Sequence, residues 1–213
     1  MVTGRIVAIL IGYVFGLFET GYFFGKLKNT DIRQHGSGNA GSTNALRVFG
    51  LKGGLITFAG DLAKSMLAVL VVWLIFHNTY ETGVRLLMMY AGLGAILGHN
   101  FPFYLKFKGG KGIACTAGFV LAYCPIVAPL CFLVFVAIVL VTRYVSLGSL
   151  IAITLFFLQF VLFGNLGYLN LHPEYLTEAY LLVMIITVLA YVRHRTNIVK
   201  LIKGTENKIG LKK

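Results

Sequence analysis

The chain has 213 residues, of which 58% are hydrophobic and 12% charged, and its mean hydropathy is +0.83. A soluble globular domain carries about 25% charged residues, so this composition excludes a soluble globule and predicts an integral membrane protein. Lys and Arg outnumber Asp and Glu by 19 to 7, a net charge of +12. In a membrane protein this excess indicates orientation, contact with anionic lipid and an anionic substrate, rather than nucleic acid.

The apolar residues occur in long runs that predict transmembrane α-helices. The clear runs cover residues 4–26, 53–76, 84–105, 147–165 and 178–193. A further block, 112–141, is too long for one span of about 20 residues, and Pro125 and Pro129 interrupt it. Two shorter helices in this block would bring the total to about seven.

The distribution of positive charge supports dividing this block at Tyr123–Pro125. With that division, the loops 26–52 and 106–111, Arg143 and the C-terminal tail (including Lys212 and Lys213) share one face. The positive-inside rule makes this face cytoplasmic. We therefore predict an all-α polytopic membrane protein with about seven transmembrane helices, formed by a single domain over residues 1–213. Its N-terminus would lie outside and its C-terminus in the cytoplasm, and a re-entrant segment over 112–124 is the alternative to a full span. The basic residues off this face are Arg5, Lys64 and Arg85.

The first basic loop contains a glycine-rich segment over residues 35–44, followed by Arg47. Gly36, Gly38 and Gly41 fit the spacing G-x-G-x-x-G, but no β-strand precedes them, which excludes a dinucleotide-binding fold. Glycine N–H groups, hydroxyl donors and an arginine suit the binding of an oxyanion, and a flexible linker is the alternative. The candidate residues here are Ser37, Gly38, Asn39, Gly41, Thr43, Asn44 and Arg47.

The second basic loop places glycines and lysines directly before a predicted helix. It lacks the Walker A pattern, yet backbone donors, a helix N-terminus and ammonium groups suit a phosphate. The alternative is a basic loop that holds lipid headgroups at the membrane interface, and a lone histidine is more often structural than catalytic. The candidate residues are His99, Lys108, Gly109, Gly110, Lys111 and Gly112.

A third basic segment, residues 193–206, follows the last span and contains His194, Asn197 and Glu206. Such a cluster alone is typical of a topology anchor, but on the same face as the two loops it is predicted to form a third wall of one site. Within the second span, Asp61 and Lys64 are three residues apart and are expected to pair, while Glu19 is a further ionisable residue of the first span. No carboxylate cluster suggests a metal site, and we predict neither a metal nor a cofactor.

Together these segments resemble the three motifs of the bacterial acyl-phosphate-dependent glycerol-3-phosphate acyltransferases, the PlsY family. The similar stretches are 37–47, 98–112 and 194–206, in the same order and with matching spacing. The resemblance implies an enzyme of the bacterial inner (cytoplasmic) membrane, with its active site on the cytoplasmic face. It implies transfer of a fatty acyl group from acyl phosphate to the sn-1 hydroxyl of glycerol 3-phosphate in phospholipid biosynthesis, giving lysophosphatidic acid and phosphate. The implied partners are these two substrates, membrane lipids and the enzyme that supplies acyl phosphate.

By motif, the resemblance implies that Ser37 and Arg47 are essential polar residues of the reaction centre. It implies that residues 109–112 cradle glycerol 3-phosphate, that His194 and Asn197 assist the reaction, and that Glu206 supports the fold of the third segment. Departures from the family pattern leave three positions without an assigned role: Ser42, Cys115 and Thr196.

Acyl phosphate carries a good leaving group, so catalysis can rest on positioning and on neutralising charge near the carbonyl. Lys111, Arg47 and loop N–H groups are the predicted sources of that positive charge. Either a substrate phosphate or His194 could accept the proton of the attacking hydroxyl, and the residues alone do not decide between them. The competing function is an organic-phosphate transporter, which would place ionisable residues along a pathway through the bilayer midplane.

Overall fold

The structure is a computed structural model that describes residues 1–210, so Lys212 and Lys213 lie outside the described residues. Over that range the chain forms α-helices and short 3-10 turns without a β-strand, which confirms the predicted all-α class. The α-helices are α1 (Val2–Gly16), α2 (Thr20–Leu27), α3 (Ser42–Phe76), α4 (Val84–Asn100), α5 (Ile113–Tyr123), α6 (Ala128–Thr142), α7 (Val145–Asn165), α8 (Leu176–Arg193) and α9 (Arg195–Ile202).

Among the described residues, six helical stretches are long and apolar enough to cross a membrane. They are Val2–Leu27, Ser42–Phe76, Val84–Leu105, Pro125–Thr142, Val145–Asn165 and Pro173–Arg193. The second begins earlier than the predicted residue 53, because the end of the first loop is already helical. This extra helical segment meets the transmembrane part of α3 at a bend where Gly50 adopts φ +71°, a conformation that favours glycine.

Helix α4 lies at the centre of the bundle, and α1 packs directly against it through small residues. A Cβ atom on Gly12 would overlap the carbonyl oxygen of Ala91, and one on Gly98 would overlap that of Tyr13. The two helices therefore approach backbone to backbone, as small residues allow between membrane helices.

The predicted division of the block 112–141 is confirmed, because α5 ends at Tyr123 and a 3-10 turn beginning at Pro125 leads into α6. The 11 residues of α5 span only about 16 Å, less than the apolar thickness of a bilayer. Nevertheless α5 runs antiparallel to α4, since Gly112 lies beside Asn100 and the Tyr123 carbonyl accepts a hydrogen bond from Arg85. Helix α6, none of whose residues is buried, then returns to the end where α5 began.

The two ends of the bundle differ in their contacts. At the end where α1, α4 and α8 begin, the Arg5 guanidinium donates to both carboxylate oxygens of Glu178, each at 2.6 Å, and Tyr90 donates to the same carboxylate. At the opposite end, where α4 and α8 finish, Arg193 contacts the second glycine-rich loop. The three motif-bearing segments therefore gather at one end of the bundle, as the charge pattern predicted.

Candidate active site

The first loop is shaped by the amide side chain of Asn44, which is buried in the first turn of α3. Its Nδ2 donates to the carbonyl oxygens of Ile32, His35 and Asn39 at 2.9–3.1 Å, and its Oδ1 accepts from the backbone N–H of Ser37 at 2.8 Å. One side chain thus closes the whole turn that precedes the helix. All of the hydrogen bonds of the Asn44 amide are made with backbone groups. Ser37, by contrast, lines a cavity beside this loop.

The second loop folds as a tight turn whose glycines contact the end of α4. The N–H groups of Gly109 and Gly110 donate to the carbonyl oxygens of Asn100 and His99, at 3.2 and 3.0 Å. The Arg193 guanidinium holds both glycine carbonyls with Nη2···O distances of 2.8 Å. We predicted these glycine N–H groups as phosphate donors, but the turn itself uses them. The glycines instead permit close approach, because a Cβ at either position would overlap His99.

Lys111 connects the second loop to the third segment. Its Nζ donates to Oδ1 of Asn197 at 2.5 Å, and Nδ2 of Asn197 donates to Oε1 of Glu206 at 3.0 Å. Burial lowers the pKa of Lys111 to about 8; Glu206 opposes this shift, and the positive charge of Arg47 adds to it. Lys111 is therefore a cation close to its titration point, held by a side-chain network that ends on one carboxylate.

His194 is a neutral imidazole with a free acceptor. Its Nδ1 lies 2.8 Å from the carbonyl oxygen of Ala190, which only accepts, so Nδ1 carries the hydrogen and Nε2 keeps its lone pair. Burial, together with repulsion from Lys111, lowers the pKa of His194 to about 4. The side chain faces the cavity formed by the first two loops, where it can accept a hydrogen bond but is a weak base.

An inner cavity of about 210 Å³ lies where α3 and α5 begin. The first N–H groups of a helix have no partner within the helix and carry the positive end of its dipole. Here two such ends, at Ser42 and Ile113, face one cavity. An apolar side formed by Phe58, Phe135 and Val145 completes it. The predicted site residues in its wall are Ser37, Asn39, Gly41, Thr43, Asn44, Arg47, Asp61, His99, Lys111, Gly112, His194 and Asn197.

An outer cavity of about 480 Å³ adjoins the inner one and has a strongly basic lining. Asp31 in its wall is paired with Arg33, whose guanidinium lowers the pKa of that carboxyl. The predicted residues Gly38, Lys108 and Gly109 line this outer cavity. The other cationic side chains here are Arg33, Lys111, Arg193, Arg195 and Lys200. Both cavities share Ser37, Asn39, Lys111 and Asn197.

Four ionisable side chains form what we call the buried cluster: Glu19, Asp61, Lys64 and His99. Asp61 and His99 also line the inner cavity, whereas Glu19 and Lys64 do not. The predicted pairing of Asp61 with Lys64 is confirmed at 3.0 Å. His99 Nδ1 lies 2.9 Å from Glu19 Oε1, and Lys64 also donates to the carbonyl oxygen of Phe18 at 2.7 Å. The cluster joins three membrane helices.

Several residues of the site were not identified from the sequence. Arg33 was counted only as a topology charge, and Arg193 was included in the third segment without a role of its own. Ser146 and Ser149 on α7 line the inner cavity and carried no sequence signal, because isolated serines in an apolar span are common. Ser42 and Thr196, which carried no assigned role, line the inner and outer cavities, whereas Cys115 is buried in the core. Among residues 1–210 no group of His, Cys, Asp or Glu is arranged to hold a metal ion.

The fold and these cavities define an integral membrane protein with a basic, anion-accepting site at one end of its helices. Comparison with known proteins identifies the group to which it belongs. Residues 6–204 match the family model described as glycerol-3-phosphate acyltransferase. The chain is 38% identical over 208 residues to the glycerol-3-phosphate acyltransferase of Thermoanaerobacter sp. (strain X514), covering 97% of this chain and 96% of that one. It is 41% identical over 209 residues to the enzyme of Alkaliphilus metalliredigens, covering 98% and 97%.

Solved structures agree with the sequence comparison. The crystal structure of PlsY (YgiH), an integral membrane glycerol 3-phosphate acyltransferase, in its glycerol 3-phosphate form superposes with a TM-score of 0.82 at 34% identity, covering 97% of this chain and 96% of that one. The lysophosphatidic acid form gives 0.80 at 33% identity, covering 97% and 95%. The chain therefore belongs to the glycerol-3-phosphate acyltransferase family of the PlsY type, and it is an acyltransferase of phospholipid synthesis.

Proposed function

We propose that this protein transfers a fatty acyl group from acyl phosphate to the sn-1 hydroxyl of glycerol 3-phosphate. The products would be lysophosphatidic acid and inorganic phosphate. The observation that carries the proposal is the pair of adjoining basic cavities, which share Ser37, Asn39, Lys111 and Asn197. Two phosphate-bearing substrates need two anion sites with a common wall, and the glycerol 3-phosphate and lysophosphatidic acid forms of the related PlsY (YgiH) support the same substrate and product here.

The shared wall is where the reacting atoms would meet. The attacking hydroxyl oxygen bonds to the acyl carbon, the bond from that carbon to the phosphate oxygen breaks, and inorganic phosphate leaves. The Lys111 ammonium, the Arg47 guanidinium and the first N–H groups of α3 and α5 supply the positive field for the developing negative charge. The acyl chain would extend along the apolar side at Phe135 and Val145 toward lipid, where each buried CH₂ contributes about 0.8 kcal/mol.

The proton of the attacking hydroxyl goes to a phosphate oxygen rather than to His194. With its pKa near 4, His194 is a weaker base than a phosphate monoester dianion, whose conjugate acid has a pKa of about 6. The free Nε2 of His194 is suited instead to accept and orient that hydroxyl. We therefore assign His194 and Asn197 to positioning the nucleophile and Lys111.

The basic end of the bundle would face the cytoplasm of a bacterial cell, with the protein a single domain of the inner membrane. The positive-inside rule supports this orientation, and a soluble acceptor is produced on that side. Acyl phosphate would arrive from the enzyme that makes it, through the membrane interface or by direct contact.

The test uses purified protein, radiolabelled glycerol 3-phosphate and one acyl donor at a time. We expect labelled lysophosphatidic acid with acyl phosphate and none with acyl-CoA or acyl carrier protein. Product from acyl-CoA alone would refute the proposed donor. Absence of product with every donor would refute acyl transfer, and uptake of the label into sealed vesicles would then support the organic-phosphate transporter.

A further inference from the structure

Glu19 lies at a break between α1 and α2 and is fully buried. The break frees two backbone carbonyls within the membrane-spanning stretch, and side chains take both. Lys64 donates to the oxygen of Phe18 at 2.7 Å, and the Tyr104 hydroxyl donates to that of Leu17 at 2.6 Å. Irregular backbone at this depth requires such partners. The interruption is thus built into the fold, and it turns the Glu19 carboxylate toward the buried cluster.

Hydrogen-bonding capacity determines how Glu19 and His99 interact. The Nδ1 atom of His99 lies 2.9 Å from both Glu19 Oε1 and Lys64 Nζ, and it can serve only one of them. A carboxylate only accepts and an ammonium only donates. The hydrogen bond at Nδ1 is the one with Lys64, which also donates to Asp61 and to the Phe18 carbonyl, and neither carboxylate oxygen of Glu19 has a hydrogen-bond donor in the described chain. The buried Glu19 carboxylate is therefore held by charge, in contact with His99 at 2.9 Å and near the Lys64 ammonium at 3.9 Å, because a buried charge without a partner is costly.

His99 transmits this contact to the active site. Its carbonyl oxygen accepts from the N–H of Gly110 at 3.0 Å, and its imidazole lies so close that a Cβ on Gly110 would overlap Nε2. Lys111 and the start of α5 follow immediately in the chain. The orientation of the imidazole therefore determines the position of this turn, and with it the positions of the Lys111 ammonium and of the N-terminus of α5 in the wall of the inner cavity.

We propose that Glu19 is a positioning residue of the active site: through the contact of its carboxylate with His99 Nδ1, at 2.9 Å, it fixes the imidazole against Gly110 and so places the turn 109–112. The carboxylate itself does not line either cavity. This inference deepens the proposed function and rests on it for its kinetic consequences, but its effect on anion binding can be measured without turnover.

The direction in which phosphate affinity changes in Glu19→Gln distinguishes a positioning role of Glu19 from a purely electrostatic one. Replacing Glu19 by Gln removes a negative charge near an anion site, and by electrostatics alone this would strengthen phosphate binding. If Glu19 positions the turn, Glu19→Gln instead weakens the affinity for inorganic phosphate, measured by calorimetry on the purified protein, and lowers kcat/KM for glycerol 3-phosphate at least about tenfold. Unchanged or tighter phosphate binding in folded Glu19→Gln protein would overturn the proposal.

Glu178→Gln is the matched control, because it removes a bonded carboxylate at the opposite end of the bundle. It should lower thermal stability while leaving phosphate affinity and kcat/KM at wild-type values. In a His99→Asn background, Glu19→Gln should cause no further loss, since the two residues act as one unit. Additive losses in the double variant would contradict action through His99.

Two further outcomes remain informative. If Glu19→Gln does not accumulate as folded protein, Glu19→Asp carries the test: its shorter carboxylate retreats from Nδ1, so phosphate affinity must fall, and wild-type affinity would overturn the proposal. If the wild-type protein binds phosphate but forms no lysophosphatidic acid from any donor, the proposed function fails. The comparison of phosphate affinities then still decides the role of Glu19.

Discussion

Lys111 provides the sharpest test of the site, because its charge state and its geometry can be changed separately. Its ammonium lies at the wall shared by both cavities and donates to Asn197. Lys111→Ala removes the cation and the donor. Lys111→Arg keeps a positive charge that does not titrate below about pH 12, with a different reach.

The expected magnitude follows from the contacts that are lost. A hydrogen bond from a charged donor contributes about 1.5–3 kcal/mol, which corresponds to a factor of roughly 10 to 150. Lys111→Ala also leaves Oδ1 of Asn197 without its donor. We therefore expect kcat/KM for glycerol 3-phosphate to fall at least about 100-fold, with normal insertion into membranes.

The pH dependence gives an independent measurement on the same residue. Burial lowers the pKa of Lys111 to about 8, and lysine is a cation only below its pKa. The value of kcat/KM, which reports the free enzyme, should therefore decline about tenfold per pH unit above pH 8. Substrate phosphates are already dianions in this range and do not contribute to the decline. In Lys111→Arg the decline should disappear.

The assay measures labelled lysophosphatidic acid between pH 6.5 and 9.5, with initial rates corrected for hydrolysis of acyl phosphate in the absence of protein. Circular dichroism and thermal unfolding of each variant establish that it is folded. Wild-type activity in Lys111→Ala would refute the assigned role. A wild-type profile that stays flat to pH 9.5 would refute the titration of Lys111.

Three further substitutions test parts of the site and the fold. Asn44→Ala should abolish acyl transfer and lower the unfolding temperature, because each buried backbone group left without a partner costs about 1–3 kcal/mol; an active variant would show that the first loop closes without this amide. Gly110→Ala should abolish activity with little loss of folding, since the added Cβ overlaps the His99 imidazole at the turn, and full activity would contradict the close packing. Gly98→Val should reduce the yield of folded protein in membranes, because α1 and α4 could no longer approach at the Tyr13 carbonyl; wild-type thermal stability would contradict that contact.

The division of the block 112–141 illustrates what charge and composition can predict. Apolar runs identify membrane helices because a helix that crosses the bilayer must be apolar and about as long as the bilayer is thick. The positive charges of the loops then indicate on which side of the membrane each helix begins and ends. That logic placed the break at Tyr123–Pro125 even though α5 is too short to identify as a span by length. The same reasoning did not predict that α3 begins at Ser42, because the polar, glycine-rich segment before it lacks apolar residues at helical spacing.

The second glycine-rich loop shows the opposite limit. Glycine and lysine spacing indicated an anion site, but the same spacing suits N–H groups that face a ligand or N–H groups that close a turn. Only the positions of Asn100 and His99 decided that Gly109 and Gly110 donate inward. The N–H groups that face the inner cavity without a partner in their own helix are instead those of the first turns of α3 and α5, which are far apart in sequence.

The sequence by itself determined that the protein lies in a membrane, that its basic loops share one end of the bundle and that it carries the family motifs. These properties depend on composition and on the order of residues within short segments. The tertiary structure decided which charges are paired, which N–H groups are used and where the cavities lie. Those properties depend on contacts between segments distant in sequence, such as Glu19 with His99 or Lys111 with Asn197. A buried ionisable residue has the same one-letter code whether or not it has a partner, and only packing supplies that partner.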